Sequence, residues 1–265
     1  MFIHYDQLNR GIALAGPPKR IVSLVPSQTE LLNYLGLEEE VVGITKFCIY
    51  PEHWYRNKTR VGGTKSINLG IVASLQPDLI IANKEENVKE QIAELEKIAP
   101  VWISDVGNAD TAFSMMQSIG EITAKKREAE ILINAIQTHF TELTLLTKQN
   151  KKNRAAYLIW KDPYMTAGGD TFIHDMLRLC GLENVCKEMT RYPTVTLEEL
   201  RLKNTELVLL STEPYPFNQK HLDELTHQLP GTKVLLVDGE IFSWYGSRML
   251  KVLPYVKKML KEVRS

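Results

Sequence analysis

The sequence predicts an α/β protein made of two similar α/β lobes, joined by a single long helix, with a ligand cleft between the lobes. Short apolar runs recur along the chain, helical segments separate them, and the middle of the chain carries a long helical pattern. The runs are rich in Val, Ile and Leu and do not alternate with polar residues, which is typical of strands covered on both faces. They occupy residues 20–25, 41–46, 79–83, 101–105, 155–160, 207–212 and 233–239.

The segments between the runs carry helix signals. Ser27–Glu30 and Thr196–Glu199 both match the S/T-x-x-E capping box, in which two side chains satisfy the first amides of a helix. Gly36 then supplies a residue that tolerates the left-handed stop of the first helix. Alternation of strand and helix favours parallel sheets with right-handed crossovers.

Residues 109–150 differ from the rest because they contain no strand signal, no proline and one glycine, Gly120. Apolar residues recur there at helical spacing, so a helix is predicted over 126–149, about 36 Å long at the helical rise per residue. The predicted boundaries are 1–108 for the N-terminal lobe, 109–150 for the linking helix and 151–265 for the C-terminal lobe.

The two halves of the chain resemble each other. LLNYLGLEEEVVG at 31–43 parallels MLRLCGLENVCK at 176–187, and INLGIVASLQPDLIIA at 67–82 parallels VTLEELRLKNTELVLL at 195–210. This weak repeat predicts two similar lobes, and clefts between domains commonly bind small ligands.

Composition excludes several classes of protein. Lys+Arg and Asp+Glu both number 32 in 265 residues, so the basic excess of a nucleic-acid-binding protein is absent. No apolar run approaches the roughly 18–20 residues of a membrane span. The first 25 residues lack the pattern of a signal peptide, and three cysteines do not suggest a disulfide framework. We therefore expect a cytoplasmic monomer as the sequence stands, or a protein of the periplasm or cell envelope if a leader has been removed.

The opening DQLNRGIALAGPPKRIVSLVPSQTELLNYLG and the later INLGIVASLQPDLIIA resemble class III ABC-transporter substrate-binding proteins. That family includes receptors for cobalamin, haem and iron siderophores, and the resemblance covers nearly the whole chain. It implies two Rossmann-like lobes joined by a single long backbone helix, a metal-chelate ligand held between the lobes, and an ABC permease as partner. The tryptophans that stack on the corrin in the cobalamin receptor correspond to Thr64, Asn83 and Tyr192, and the two permease-docking glutamates correspond to Gly70 and Glu198.

Ligands of open α/β sheets bind beyond the carboxyl ends of the strands, and that rule selects the loops after the apolar runs. Aromatic side chains there could form the wall of a pocket, whereas lysines and Arg248 could bind carboxylates, phosphates or propionates. Glu85, Glu86 and Glu213 could pair with those cations. The predicted ligand-binding residues are Ser27, Lys46, Phe47, Tyr50, Thr64, Lys65, Asn83, Lys84, Trp160, Tyr164, Tyr192, Tyr215, Phe217, Trp244, Tyr245 and Arg248.

Each assignment has a structural alternative. An aromatic residue could pack beneath its own loop, a cation could be solvated, and the VGGTK segment at 61–65 could be a plain turn rather than an anion cradle. Cys48 is a candidate axial ligand to the metal of a chelate, and the alternative is a small buried thiol. Trp244 and Tyr245, with Tyr192, are the predicted stacking platform, and the alternative for Trp244 is a hydrophobic lid.

Catalytic motifs are absent from the sequence: it contains no G-x-S-x-G, H-E-x-x-H or GxGxxG. We therefore expect a binding protein without an intrinsic cofactor rather than an enzyme, with cobalamin, haem or a ferric siderophore as bound ligand. The alternative is a cytoplasmic ligand-binding or chelatase-like metal-insertion protein without a transport role, in which His53 would be the histidine near the ligand.

Overall fold

The computed structural model describes residues 2–148 and 152–264, which form two compact units. Unit 1 comprises the described residues up to Val106, together with Asp110–Asn134 and Tyr245–Arg248. Unit 2 comprises Gly107–Ala109, the described residues from Ala135 to Trp244, and those from Met249 onward. Each unit contains a five-stranded, mainly parallel sheet with helices between the strands, which confirms the predicted α/β class.

Unit 1 contains nine strands among its described residues, and five of them form one sheet. The strands are β1 Phe2–Tyr5, β2 Gly11–Leu14, β3 Ile21–Ser23, β4 Val41–Ile44, β5 Thr59–Arg60, β6 Gly62–Gly63, β7 Ser66–Ile67, β8 Leu79–Asn83 and β9 Val101–Ser104. The sheet has the order β5-β4-β3-β8-β9 and is parallel throughout. The pairs β1–β2 and β6–β7 are antiparallel hairpins.

The helices that follow these strands are α1 Pro26–Tyr34, α2 Glu52–Asn57, α3 Leu69–Ser74, α4 Lys89–Leu95 and α5 Ala109–Ile122. Helix α6, Lys126–Thr147, comes next, and its residues up to Asn134 belong to unit 1 and the rest to unit 2.

The sheet of unit 2 has one antiparallel edge strand and is otherwise parallel. Its strands are β10 Asn153–Trp160, β11 Met165–Thr166, β12 Leu182–Asn184, β13 Leu207–Ser211 and β14 Lys233–Val237. The order is β11-β10-β13-β14, and β12 also pairs with β10. Its helices are α7 Phe172–Leu179, α8 Leu197–Leu202, α9 Gln219–Gln228, α10 Gly239–Ser243 and α11 Val252–Arg264, and a 3-10 helix spans Ser247–Lys251.

Each of the seven apolar runs predicted as strands contains a strand. Every residue of β8 and of β13 is buried, as a strand covered on both faces requires. In unit 1, Ile21 pairs with Leu79 across β3 and β8, and in unit 2, Leu207 pairs with Lys233 across β13 and β14.

The predicted internal repeat corresponds to matching elements in the two units. Helix α1 and helix α7 are each followed by a glycine with positive φ, Gly36 at 74° and Gly181 at 73°. Helix α3 leads to β8 and helix α8 leads to β13, and the connections contain left-handed residues at Gln76 and Asn204. The sequence similarity therefore reflects the same helix-to-strand connections in both units.

The region predicted as one linking helix contains two helices. Helix α5 ends at Ile122, and Ala124 has a φ of 57°, which breaks the helical path before α6 begins at Lys126. Helix α6 is the long helix that the periodicity predicts. The predicted helix end at 149 and the boundary between 150 and 151 lie outside the described residues.

One of the two predicted capping boxes is wrong. Helix α1 begins at Pro26 rather than after Ser27, so Ser27 lies inside the first turn and no side chain caps the helix. Proline suits that position because its fixed φ is helical and its missing amide would have no partner there. At helix α8 the prediction is confirmed, because the side chains of Thr196 and Glu199 each accept the backbone amide of the other residue.

Candidate functional site

The loop after β4 exposes two aromatic rings at the carboxyl end of the unit 1 sheet. Phe47 is 51% exposed and Tyr50 is 40% exposed. The ammonium of Lys46 lies 5.1 Å from the centre of the Phe47 ring. Phe47, Tyr50 and Lys46 therefore match the predicted combination of aromatic surface and positive charge.

Arg248 also contacts this loop, from the segment Tyr245–Arg248 that belongs to unit 1. Its guanidinium carbon lies 4.6 Å from the centre of the Tyr50 ring, and its Nε donates to Glu30 Oε2 at 2.9 Å. The Arg248 side chain is only 6% exposed and that of Glu30 only 14%. Arg248 thus connects helix α1 with Tyr50, and its guanidinium, which the sequence predicts to bind an anionic group of the ligand, is largely enclosed by protein.

The predicted aromatic platform at Trp244 and Tyr245 is not an exposed surface. Both residues are 8% exposed, and the Tyr245 hydroxyl lies among the side chains of Ser104, Ser27 and Gln28. Burial raises the pKa of the Tyr245 hydroxyl. Trp244 therefore matches the alternative of an apolar side chain packed in the protein. Ser27 is also buried, and it contacts Tyr245 rather than solvent.

The loop after β8 is shaped by Asn83. Its side-chain amide donates to the carbonyl and hydroxyl oxygens of Ser104, at 3.2 and 3.0 Å, and its Oδ1 accepts the amides of Glu85 and Glu86. Asn83 is 3% exposed, so its side chain is better explained as the organiser of this loop than as a ligand contact. Its neighbour Lys84 is exposed and forms an ion pair with Asp105 at 2.6 Å.

The VGGTK segment forms the tight β6–β7 hairpin, in which Gly62 has a φ of 109°. The Thr64 carbonyl accepts a bond from Asn87 at 3.0 Å, and the Lys65 ammonium donates to the Glu85 carbonyl at 2.7 Å. The segment therefore matches the alternative of a turn. Thr64 is 8% exposed, whereas Lys65 is exposed beside the loop after β8.

Cys48 is completely buried between two threonines. Its sulfur lies 3.1 Å from the hydroxyls of both Thr29 and Thr45, and burial raises the pKa of the thiol. This environment favours the alternative of a small buried thiol, and ligation of a metal by Cys48 stays an untested prediction. Within residues 2–148 and 152–264, no group of three or more His, Cys, Asp and Glu side chains could hold a metal ion.

Unit 2 carries an aromatic cluster at the carboxyl ends of β10 and β13. Trp160 is 42% exposed and contacts Tyr215 edge-on, with ring centres 5.5 Å apart. Tyr215 in turn packs against Phe217 at 4.7 Å and His221 at 5.4 Å. Phe217 is 3% exposed and belongs to the apolar core, so Trp160 is the outer ring of a supported stack.

The other candidates of unit 2 lie nearby in the chain. Tyr164 is half-buried against the core, and burial raises the pKa of its hydroxyl. Tyr192 is partly exposed beside the guanidinium of Arg191, at 5.9 Å. Glu213 accepts a hydrogen bond from the Ser243 hydroxyl at 2.8 Å, which fixes its carboxylate to helix α10.

The two positions matched to permease docking both lie in the first turn of a short helix. Glu198 is exposed in helix α8 and pairs with Arg201 at 2.9 Å. Gly70 is exposed in helix α3 after the cap residue Asn68, and a Cβ there would have Asn68 Oδ1 as its nearest neighbour at 3.4 Å. A side chain at position 70 would therefore fit.

Two residues that support the exposed rings were not predicted from the sequence. Glu30 holds Arg248 although 218 residues separate them, so no local pattern reveals the pair. His221 accepts the Asn218 amide through Nδ1 at 3.2 Å and lies 3.3 Å from the Tyr215 hydroxyl through Nε2. The sequence did contain a signal for His221, because it stands three residues after Asn218, the residue that caps helix α9.

His53, the histidine of the chelatase alternative, is engaged outside these loops. It lies on helix α2 and contacts Glu38 at 2.9 Å. The Trp54 side chain also donates to Glu38, and this bond, with that of His53, lowers the pKa of the carboxyl. Nothing in this contact favours metal insertion.

Comparison with known sequences gives one matching family model, described as periplasmic binding protein, over residues 21–231. The chain is 26% identical to the ABC transporter substrate-binding lipoprotein YvrC of Bacillus subtilis over 212 residues, 77% of this chain and 67% of the relative. It is 27% identical to a vitamin B12-binding protein of Vibrio vulnificus over 202 residues, 74% of this chain and 72% of that protein.

Solved structures share the fold over nearly the whole chain. The periplasmic vitamin B12 binding protein BtuF of Vibrio cholerae matches with a TM-score of 0.80 and 22% identity, covering 94% of this chain and 99% of that one. The haem-binding protein BhuT, solved with two haems, gives 0.81 and 18%, with 94% and 100% covered. The molybdate-binding protein MolA of Haemophilus influenzae gives 0.82 and 17%, with 100% and 91% covered.

Proposed function

Because this chain belongs to the periplasmic binding protein family, we propose that it binds a metal-chelate ligand for uptake by an ABC-type transporter. The ligand class is a corrinoid, a haem or a ferric siderophore. A relative named as a vitamin B12-binding protein and a solved haem-binding protein of the same fold support this class, and both are named as binding proteins rather than enzymes.

The observation that carries the proposal is the exposed aromatic surface at the carboxyl ends of the parallel strands. In unit 1, Phe47 and Tyr50 lie next to cationic side chains, and in unit 2, Trp160 is the outer ring of an aromatic stack. Flat macrocycles and catecholates bind well to exposed aromatic faces, and cations match propionates, phosphates or carboxylates at a ligand rim. Lys46, Lys65 and Lys84 supply that charge.

Binding in this proposal is non-covalent. The aromatic rings stack on the ligand, and the lysines bind its anionic groups. We expect the bound molecule to leave chemically unchanged.

Visible absorbance spectroscopy provides the first test of the proposed ligand class. Protein purified from its native host is examined by visible absorbance, because corrins, haems and ferric catecholates have distinct bands. The apo-protein is then titrated with cyanocobalamin, haemin and ferric enterobactin, and we expect saturable binding of one of them. Failure of all three to bind would contradict the ligand class.

A matched pair of variants connects binding with the exposed rings. Phe47→Leu removes an exposed ring and should weaken binding. Tyr55→Leu removes a ring on helix α2, outside the strand-end loops, and should leave binding unchanged. Equal effects of the two changes would argue against the assignment of the site.

For the partner, we propose an ABC permease that docks through Glu198 and tolerates Gly70 at the second position. Purified permease reconstituted in nanodiscs provides the test, with wild type, Glu198→Ala and Gly70→Glu compared. We expect weaker capture of Glu198→Ala and stronger capture of Gly70→Glu. Capture that is the same for all three would contradict docking at these helices.

For location, we propose the cell envelope, since relatives are named as periplasmic proteins or lipoproteins. No helix within the described part of the chain is long and apolar enough to cross a bilayer. Fractionation of the native cells, followed by immunoblotting, tests this, and recovery of the protein with the cytosolic fraction would contradict it.

A further inference from the structure

We propose that Arg248 is a positioning residue, which holds the ring of Tyr50 in place for the ligand, and not a residue that binds the ligand itself. This inference rests on the proposed function, because Tyr50 matters here as an exposed stacking ring. It changes the role expected from the sequence, in which Arg248 presents its guanidinium to anionic groups of the ligand.

The side chain of Arg248 is buried. The Arg248 side chain is 6% exposed, and its Nε donates to Glu30 Oε2 at 2.9 Å. A guanidinium that is paired with a carboxylate inside the protein has little surface left for an external anion. Its charge is already balanced by that of Glu30.

The guanidinium of Arg248 also contacts Tyr50. The guanidinium carbon lies 4.6 Å from the ring centre, within the range of a cation–π interaction, and Tyr50 itself is 40% exposed. Arg248 therefore covers part of the ring while the rest stays accessible. The interaction restricts the ring to one orientation, which lowers the entropy lost when a ligand stacks on it.

The backbone that carries Arg248 is itself fixed. Gly246 has a φ of 103°, and a Cβ there would lie 3.4 Å from Leu31 Cβ on helix α1. Tyr245 is buried beside Ser27 and Gln28 on the same helix. The segment Tyr245–Arg248 is thus held against helix α1, and its arginine reaches Tyr50 from a defined position.

The first experiment needs no ligand. Incorporation of 3-fluorotyrosine at position 50 gives a ¹⁹F resonance that reports the ring's surroundings. We expect Arg248→Met to shift and broaden this resonance. Arg248→Met alone leaves the charge of Glu30 buried without its partner and could unfold the protein. The double variant Glu30→Gln/Arg248→Met removes both charges, and it should give the same shift and broadening of the Tyr50 resonance.

Arg60→Met is the matched control, because Arg60 lies 4.5 Å from the ring centre of another tyrosine, Tyr55. It should leave the Tyr50 resonance unchanged. An unaltered Tyr50 resonance in the folded Arg248→Met or double variant would overturn the proposal.

The second experiment measures affinity for cyanocobalamin and haemin. Tyr50→Leu and Arg248→Met should each weaken binding roughly 3- to 30-fold, and the combined variant should be no weaker than the more affected single variant. If the loss of affinity in the combined variant equals the product of the losses in the two single variants, Arg248 contacts the ligand independently of Tyr50. That result would overturn the proposal. If wild type binds neither probe, these ligands are excluded, and the ¹⁹F experiment still decides the role of Arg248.

Discussion

Glu30 and Arg248 are 218 residues apart in the sequence, and their side chains form an ion pair of 2.9 Å that is almost fully enclosed by protein. Removal of one member of such a pair leaves the other charge buried without its partner, and that loss typically costs about 3–5 kcal/mol. The stability of the protein should therefore depend on this pair.

Glu30→Ala should lower the free energy of unfolding by about 3–5 kcal/mol, measured by urea denaturation. Glu30→Gln/Arg248→Met, which removes both charges, should be closer to wild type. The control is Glu52→Ala, since the Glu52–Arg56 pair is 71% exposed at both side chains, and it should change stability by less than about 1 kcal/mol. Equal losses in the two alanine variants would contradict the burial of the pair.

Trp160 and Trp244 should separate binding from stability. Trp244→Ala should reduce the free energy of unfolding by about 3–5 kcal/mol, because Trp244 is 8% exposed. Trp160→Ala should cost much less, because that ring is 42% exposed, yet it should weaken the binding of the ligand identified by titration. Urea denaturation and absorbance titration of both variants provide the measurements. A large stability loss at Trp160 would show that it is a core residue instead.

Gly120 is the position where helix α5 meets helix α6. A Cβ at this residue would lie 2.5 Å from Ala129 Cβ, so Gly120→Ala should destabilise the protein by about 1–3 kcal/mol although alanine favours helix. Ala129→Gly in the same chain should restore part of the loss. Gly16→Ala, where nothing lies within 4 Å of the added carbon, serves as control and should have little effect. Thermal denaturation of the three variants would detect the difference.

His174 should make stability depend on pH. Burial lowers the pKa of its imidazole from 6.5, an effect that Arg178 and Lys187 increase and Asp175 opposes. The unfolded chain then binds more protons than the folded one around and below that value, so stability is lost as the pH falls through it. We expect the free energy of unfolding to decrease from pH 7.5 to pH 5.5, and His174→Gln to reduce the decrease. An identical pH profile for the variant would exclude His174 as its source.

Much of the fold could be predicted because its signals are local. A strand covered on both faces must be apolar throughout, so β8 and β13 were recognisable from their own residues. Thr196 and Glu199 form their capping box within four consecutive residues. Helix α1 shows the limit of such patterns, because Pro26 begins the helix one residue before the predicted cap.

The candidate site was predictable only in part. The rule that ligands bind at strand ends selects the loops that carry Phe47, Tyr50 and Trp160, and these rings are exposed. The same rule also selected Phe217, Trp244 and Tyr245, which are buried. An aromatic residue in a loop has the same local sequence whether it covers the core or faces solvent, so exposure depends on what packs above it.

The sequence by itself determined the α/β class, the seven strands with apolar runs, the long helix α6 and the loops at which a ligand is to be sought. These features follow from apolar periodicity, helix signals and strand direction, which act over a few residues. Only the tertiary structure decided that Tyr245–Arg248 packs in unit 1, that Arg248 pairs with Glu30, and that Tyr50 stays exposed beside it. Those relationships depend on contacts between distant parts of the chain, where burial and charge pairing in three dimensions decide the role of each side chain.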